Sequence, residues 1–90
     1  MNGKNGGLDR STVTVLLFAG LGEKVGRTLS WPWREGLTVA ELLDELAARY
    51  PEVAVYRPTV MTAVNAAYRP VDHPLRPGDE VALIPPVSGG

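Results

Sequence analysis

The sequence predicts an α+β domain in which a mixed sheet packs on one main helix. Three observations carry this. The run Thr12-Val13-Thr14-Val15-Leu16-Leu17-Phe18-Ala19 has strand composition. A second strand-like run, Glu80-Val81-Ala82-Leu83-Ile84, closes the chain's folded part. Between them lies one strongly amphipathic helix, Val39 to Tyr50. A chain of 90 residues makes one small domain, and a single apolar helix stripe needs a single sheet to cover it.

Residues 1–11 are expected to form a flexible leader, with residues 12–90 as the domain. The Gly/Asn-rich stretch Met1 to Gly7 lacks the apolar region of a signal peptide. In the first strand Val13, Val15 and Leu17 share one face, while Thr12, Thr14, Leu16 and Phe18 share the other. Gly20 to Gly26 reads as a glycine-punctuated turn with room for one helical turn at Leu21 to Val25. Arg27 to Trp33 reads as a second strand. Pro32 cannot donate to a ladder, so that strand lies at an edge or ends there.

Thr38 followed by Glu41 matches a capping box at the start of the main helix. Val39, Leu42, Leu43, Leu46, Ala47 and Tyr50 form its apolar stripe, and Glu41, Asp44, Glu45 and Arg49 its wet face. Pro51 stops it, and an irregular segment follows. Val60 to Val64 is a third strand, Asn65-Ala66-Ala67 a turn, and Tyr68 to Val71 a short edge strand. His73-Pro74-Leu75 packs locally. Arg76-Pro77-Gly78-Asp79 has proline and glycine where a type II turn prefers them. In the expected arrangement the first and last strands lie side by side in the middle of the sheet.

Composition excludes several function classes. There is no cysteine, hence no disulfide, thiolate metal site or thiol nucleophile. Nine basic and ten acidic residues are interspersed. No basic stripe offers a footprint for nucleic acid. The longest apolar run, around Val13 to Leu21, is broken by Thr14 and Gly20 and is too short to span a bilayer. The expected partners therefore include neither nucleic acid nor membrane; the expected compartment is the cytoplasm, with which the absence of cysteine is compatible without demanding it.

The candidate catalytic motifs are weak. Gly20-x-Gly22-x-x-x-Gly26 follows a strand but precedes no helix of useful length, so turn glycines account for it better than a nucleotide loop. His73 is the only histidine; a metal site needs several ligands, and local packing or capping is the favoured role. Asp79 and Glu80 sit at a turn entering a strand, where successive side chains alternate faces. No nucleophile elbow, phosphate loop or triad is present. Nothing here makes a self-sufficient enzyme, and no metal is expected.

The sheet's outer face and the C-terminus are more informative. If Val13, Val15, Leu17, Val81 and Leu83 face the helix, Phe18 and Ile84 face away from it, and Tyr68 joins them across the sheet. Large apolar side chains clustered in water mark a docking face. Beyond Ile84 the chain reads Pro85-Pro86-Val87-Ser88-Gly89-Gly90. The prolines fix φ and keep the backbone extended. The glycines give a tip without side chains, thin enough to enter a narrow pocket. The distinctive chemical group at that tip is the Gly90 carboxylate.

Together these residues resemble the MoaD/ThiS sulfur-carrier family, whose members share the ubiquitin-like β-grasp fold. The matching segments are Val15 to Ala19, Thr38-Val39-Ala40-Glu41-Leu42, Ala63-Val64-Asn65 and, above all, His73 to Gly90. The Pro-Pro-Val-Ser-Gly-Gly ending is similar to the branch formed by molybdopterin synthase small subunits. The resemblance covers Val13 to Gly90. It implies a carrier cycle. An E1-like adenylyltransferase uses ATP to adenylate the Gly90 carboxylate. A sulfur donor displaces AMP and leaves a thiocarboxylate. Residues Pro85 to Gly89 insert with it into the synthase large subunit, where the sulfur goes into the molybdopterin dithiolene. Phe18, Tyr68 and Ile84 are the implied anchors for both partners, and no cofactor is implied as permanently bound. Two features depart from the pattern: Leu83-Ile84 stands where aromatic pairs are common, and Trp31-Pro32-Trp33 is unusual. Other carrier pathways (thiazole synthesis, tRNA thiolation) and a ubiquitin-like modifier or interaction module are the alternatives.

Overall fold

A computed structural model describes residues 11–86. In chain order they form β1 (Thr12–Leu17), α1 (Ala19–Val25), β2 (Thr28–Pro32), α2 (Val39–Arg49), α3 (Pro51–Tyr56), β3 (Met61–Val64), β4 (Ala67–Tyr68) and β5 (Glu80–Ile84). The five strands make one sheet in the order β2-β1-β5-β3-β4. β1 and β5 run parallel, with Leu16 opposite Ala82 and Leu17 opposite Leu83. The neighbouring pairs are antiparallel. The first and last strands therefore do occupy the middle, and the sheet is mixed, as the sequence predicts for a β-grasp.

One face of this sheet is buried. Val13, Val15, Leu17, Val81 and Leu83 pack with Val39, Leu42, Leu43 and Leu46 of α2 in the core, each at most 2% exposed. Strand alternation of period two meets a helix stripe of period 3.6, and the two apolar surfaces close on each other. Leu21 of α1, Val53 of α3 and the loop residues Leu37 and Leu75 fill the ends of the core.

The start of α2 has a partner for each of its first backbone donors. Thr38 accepts from the Glu41 amide and the Glu41 carboxylate accepts from the Thr38 amide, which completes the capping box. The Val39 amide donates to the His73 carbonyl at 3.0 Å and the Ala40 amide to the Val71 carbonyl at 2.8 Å. The segment 71–75 thus straps the helix N-terminus and satisfies donors that a helix leaves open there. This is where the local packing expected of His73-Pro74-Leu75 is found.

Several boundaries differ from the sequence expectations. The first strand ends at Leu17, because Ala19 takes a φ of 53° and the chain turns into α1. Pro51 ends α2 but does not open an irregular segment: it is the first residue of α3, a position where a missing N–H and a fixed φ cost nothing. The turn after β3 needs only Asn65 and Ala66, both at positive φ (50° and 70°), the requirement of a tight hairpin turn. Ala67 therefore pairs with Val64, and β4 is Ala67–Tyr68 instead of Tyr68 to Val71. Pro70 has no N–H to extend that ladder. The expected type II turn is present, with Gly78 at φ 87° and the Asp79 amide donating to the Arg76 carbonyl at 3.1 Å.

Trp31 and Trp33 lie on the helix side and are half-buried against the core. The Trp31 indole N–H donates to Glu45 Oε1 at 2.9 Å, and that of Trp33 donates to the Leu75 carbonyl at 2.8 Å. A buried indole needs such a partner. The unusual Trp-Pro-Trp segment thus widens a thin core. Pro32 stands at the end of the edge strand β2, where it removes no needed donor.

Candidate functional site: the outer sheet face and the end of the last strand

Side chains on the sheet's second face follow from register alone. Leu16 lies opposite Ala82, Ala82 opposite Ala63 and Ala63 opposite Tyr68. These four residues form a row across four strands. One step along the strands, Ile84 lies opposite Met61. Phe18 follows β1 at the same level, its amide donating to the Leu83 carbonyl at 3.2 Å. Phe18 is 46% exposed, Met61 53% and Tyr68 65%, while Leu16 and Ile84 are half-buried. No basic residue lies in either row.

The structure brings together Phe18 and Ile84, two of the residues singled out in the sequence, at the upper rim of the central strands. Tyr68 is on the same face but one row lower, at the β4 edge. Met61 connects them: it sits beside Ile84 and shares with Tyr68, Arg69 and Val71 a shallow groove of about 370 Å³. Sequence reasoning missed Met61 and Val71. Met61 carries no signal of its own, because its face depends on the β3–β5 register. Val71 lies in a loop, where periodicity says nothing.

The last strand sets where the C-terminal segment leaves. Pro85 is buried and Pro86 exposed, so the body of the fold ends at Pro85 and the chain passes the apolar rim at Pro86. Val87, Ser88, Gly89 and Gly90 lie outside the described residues.

Other candidates have structural roles. Gly22 is buried against the end of β1: a Cβ there would stand 2.5 Å from the Leu17 carbonyl oxygen. Gly26 caps α1 at φ 128°. These glycines serve a tight crossing and a helix end. His73 contributes its carbonyl to the start of α2. Asp79 accepts from the Arg76 amide of its own turn and from Asn65 of the turn after β3, so it is held between the two turns. Among the described residues no group of three or more His, Asp or Glu is placed to hold a metal ion. No helix among them is long and apolar enough to cross a membrane.

Residues 15–90 match the model of the ThiS family. Over 87% of its length the chain is 38% identical to a molybdopterin synthase sulfur carrier subunit of Arabidopsis thaliana, covering 82% of that protein. It is also 38% identical to the Escherichia coli protein so named, covering 87% of this chain and 99% of that one. Among solved structures, small archaeal modifier protein 1 of Haloferax volcanii superposes with a TM-score of 0.72 at 27% identity, over 86% of this chain and 99% of the other.

Proposed function

The chain belongs to the ThiS family, and from that premise we propose that it is the sulfur carrier subunit of a molybdopterin synthase, acting through the Gly90 carboxylate. One observation carries this reading. The central strand β5 delivers the chain to the rim of an exposed apolar face at Pro86, and the sequence continues Val87-Ser88-Gly89-Gly90. A partner seated on that face has the diglycine end within reach of its own pocket.

The chemistry follows from the group. A free carboxylate is a poor acyl donor. An E1-like adenylyltransferase joins the Gly90 carboxylate to the α-phosphate of ATP and releases pyrophosphate. A donor then delivers sulfur at the sulfide level to the same carbonyl carbon; the C–S bond forms, the C–O bond to AMP breaks, and a thiocarboxylate remains. The carrier supplies nucleophilic sulfur although it has no cysteine. Gly89 and Gly90 allow backbone into a site that a Cβ would obstruct. Pro85 and Pro86 set the exit direction. Phe18, Ile84 and Tyr68 anchor the synthase large subunit and the activating enzyme in turn, and this traffic takes place in the cytoplasm. The carrier holds no cofactor and has no active site of its own.

The test is an intact mass after incubation with ATP, the cognate activating enzyme and a sulfur donor. Replacement of one oxygen by one sulfur at Gly90 is expected, as is its loss when Gly90 is deleted or one residue is added after it. An extended variant that still accepts sulfur and supports cofactor synthesis overturns the reading. The likeness to a small archaeal modifier protein favours a second use of the same activated end, transfer to lysines. High-mass conjugates in cells that vanish on deletion of Gly90 would identify that use.

A further inference from the structure

We infer that the cleft between the β3–β4 turn and the loop entering β5 binds a phosphate group, free or esterified. The cleft is about 300 Å³, and the polar groups lining it include Asn65, Arg69, His73, Arg76 and Asp79. Arg69 and Arg76 are exposed, and among the described residues neither guanidinium has an ion-pair or hydrogen-bond partner. Asp79 is the one acidic residue lining the cleft. Both of its carboxylate oxygens already accept: Oδ1 from Asn65 Nδ2 at 2.9 Å and Oδ2 from the Arg76 amide at 2.8 Å. It therefore holds the wall in place instead of pairing with the arginines, and the cleft is left with two unpaired cations.

The walls are set before any ligand arrives. The Asn65–Asp79 bond joins two tight turns, and Asn65 Oδ1 accepts from the Glu80 amide at 3.0 Å. Guanidinium forks favour phosphate oxygens. A tetrahedral phosphate offers acceptors in several directions, as two arginines on separate segments require, whereas a carboxylate offers only two coplanar oxygens. The volume also exceeds what one phosphate fills and leaves space for an organic group. Asn65, Arg76 and Asp79 stand at the opposite end of β5 from Pro86, about 13 Å of strand away, whereas Arg69, bonded to Thr62 at the level of Leu83, lines both this cleft and the groove beside Met61. The test involves no sulfur transfer.

The test is an amide and arginine Nε–H NMR titration of the full chain with inorganic phosphate, with adenosine 5′-monophosphate, and with chloride at matched ionic strength. Saturable shifts are expected at Asn65, Arg69, His73 and Arg76, with none at Phe18 or Ile84. The Arg69→Ala/Arg76→Ala double variant is expected to bind at least about tenfold more weakly, and each single Gln variant part of that. Tighter binding of the nucleotide upholds an esterified ligand, and equal binding upholds free phosphate. Shifts that chloride reproduces, that do not saturate, or that the double variant retains with an otherwise unchanged spectrum overturn the site.

Discussion

Asn65 and Asp79 are joined by a side-chain hydrogen bond of 2.9 Å that ties the turn after β3 to the turn before β5. Asn65 also accepts from the Glu80 amide at 3.0 Å through Oδ1, and its own amide donates to the Glu80 carbonyl at 2.8 Å. Its φ is 50°, a conformation that asparagine tolerates better than most residues. Asn65→Ala loses two side-chain bonds and strains the turn, so a loss of about 2 kcal/mol is expected. Asn65→Gly loses the same bonds without the strain and is expected to cost about 1 kcal/mol less. Urea denaturation of the two variants checks the ordering. Equal losses would mean that the left-handed backbone contributes nothing to the choice of asparagine.

Gly22 and Gly20 sit on the same short helix and are expected to respond oppositely to alanine. A Cβ at Gly22 meets the Leu17 carbonyl oxygen at 2.5 Å, and a backbone atom in the middle of the sheet cannot step aside cheaply. Gly22→Ala is expected to cost about 2 kcal/mol or more. A Cβ at Gly20 meets only the Tyr56 hydroxyl at 3.7 Å, an ordinary contact. Gly20→Ala is expected to be neutral or to stabilise by up to about 1 kcal/mol through helix propensity. Thermal melts of the pair separate the two effects.

These glycines also show where the sequence stops being legible. Strand alternation in Val13, Val15 and Leu17, the Thr38/Glu41 capping box and the Pro77-Gly78 turn are local signals, and each appears where residue chemistry places it. The adjacency of β1 and β5 is expected of such a domain but dictated by no local pattern, and their parallel direction shows only in the register of Leu16 with Ala82 and Leu17 with Leu83. Gly22 looks like a turn glycine until the Leu17 carbonyl is seen above it. Pro51 reads as a stop because a proline both ends one helix and starts another, and only the packing of Val53 into the core decides for a start. Of the exposed apolar face proposed for docking, Phe18 and Ile84 are readable from alternation on β1 and β5. Met61 is not, since its face depends on pairing with Ile84, a contact between distant parts of the chain.

Trp31 is expected to contribute through its N–H as well as its bulk. Its indole donates to Glu45 Oε1 at 2.9 Å, and its ring lies 6.4 Å from that of Tyr50. Arg34 pairs with the same Glu45. Trp31→Phe keeps an aromatic ring and removes the bond that fastens the edge strand β2 to α2. A loss of about 1 kcal/mol is expected. In a double-mutant cycle with Glu45→Ala, which removes the acceptor, the two losses are expected to fall short of additivity by a similar amount. Additive losses would assign the whole effect of Trp31 to packing.

Stability and partner binding are expected to separate across the two faces of the sheet. Phe18 and Met61 are about half exposed, whereas Leu83, on the opposite face, is completely buried. Phe18→Asp and Met61→Asp place charge where the free chain meets water, so each is expected to cost no more than about 1 kcal/mol of stability. Both residues flank the point where the chain leaves the body at Pro86, and anchors in such positions dominate interface energetics. Affinity for the cognate synthase large subunit, read by calorimetry, is expected to fall by about 2 kcal/mol or more for each variant, roughly a thirtyfold loss. Met61→Asp is the sharper of the two tests, because Met61 owes its place to the β3–β5 register alone. If it bound the partner as the wild type does, the docking surface would end at Ile84 and would not reach the groove shared with Tyr68.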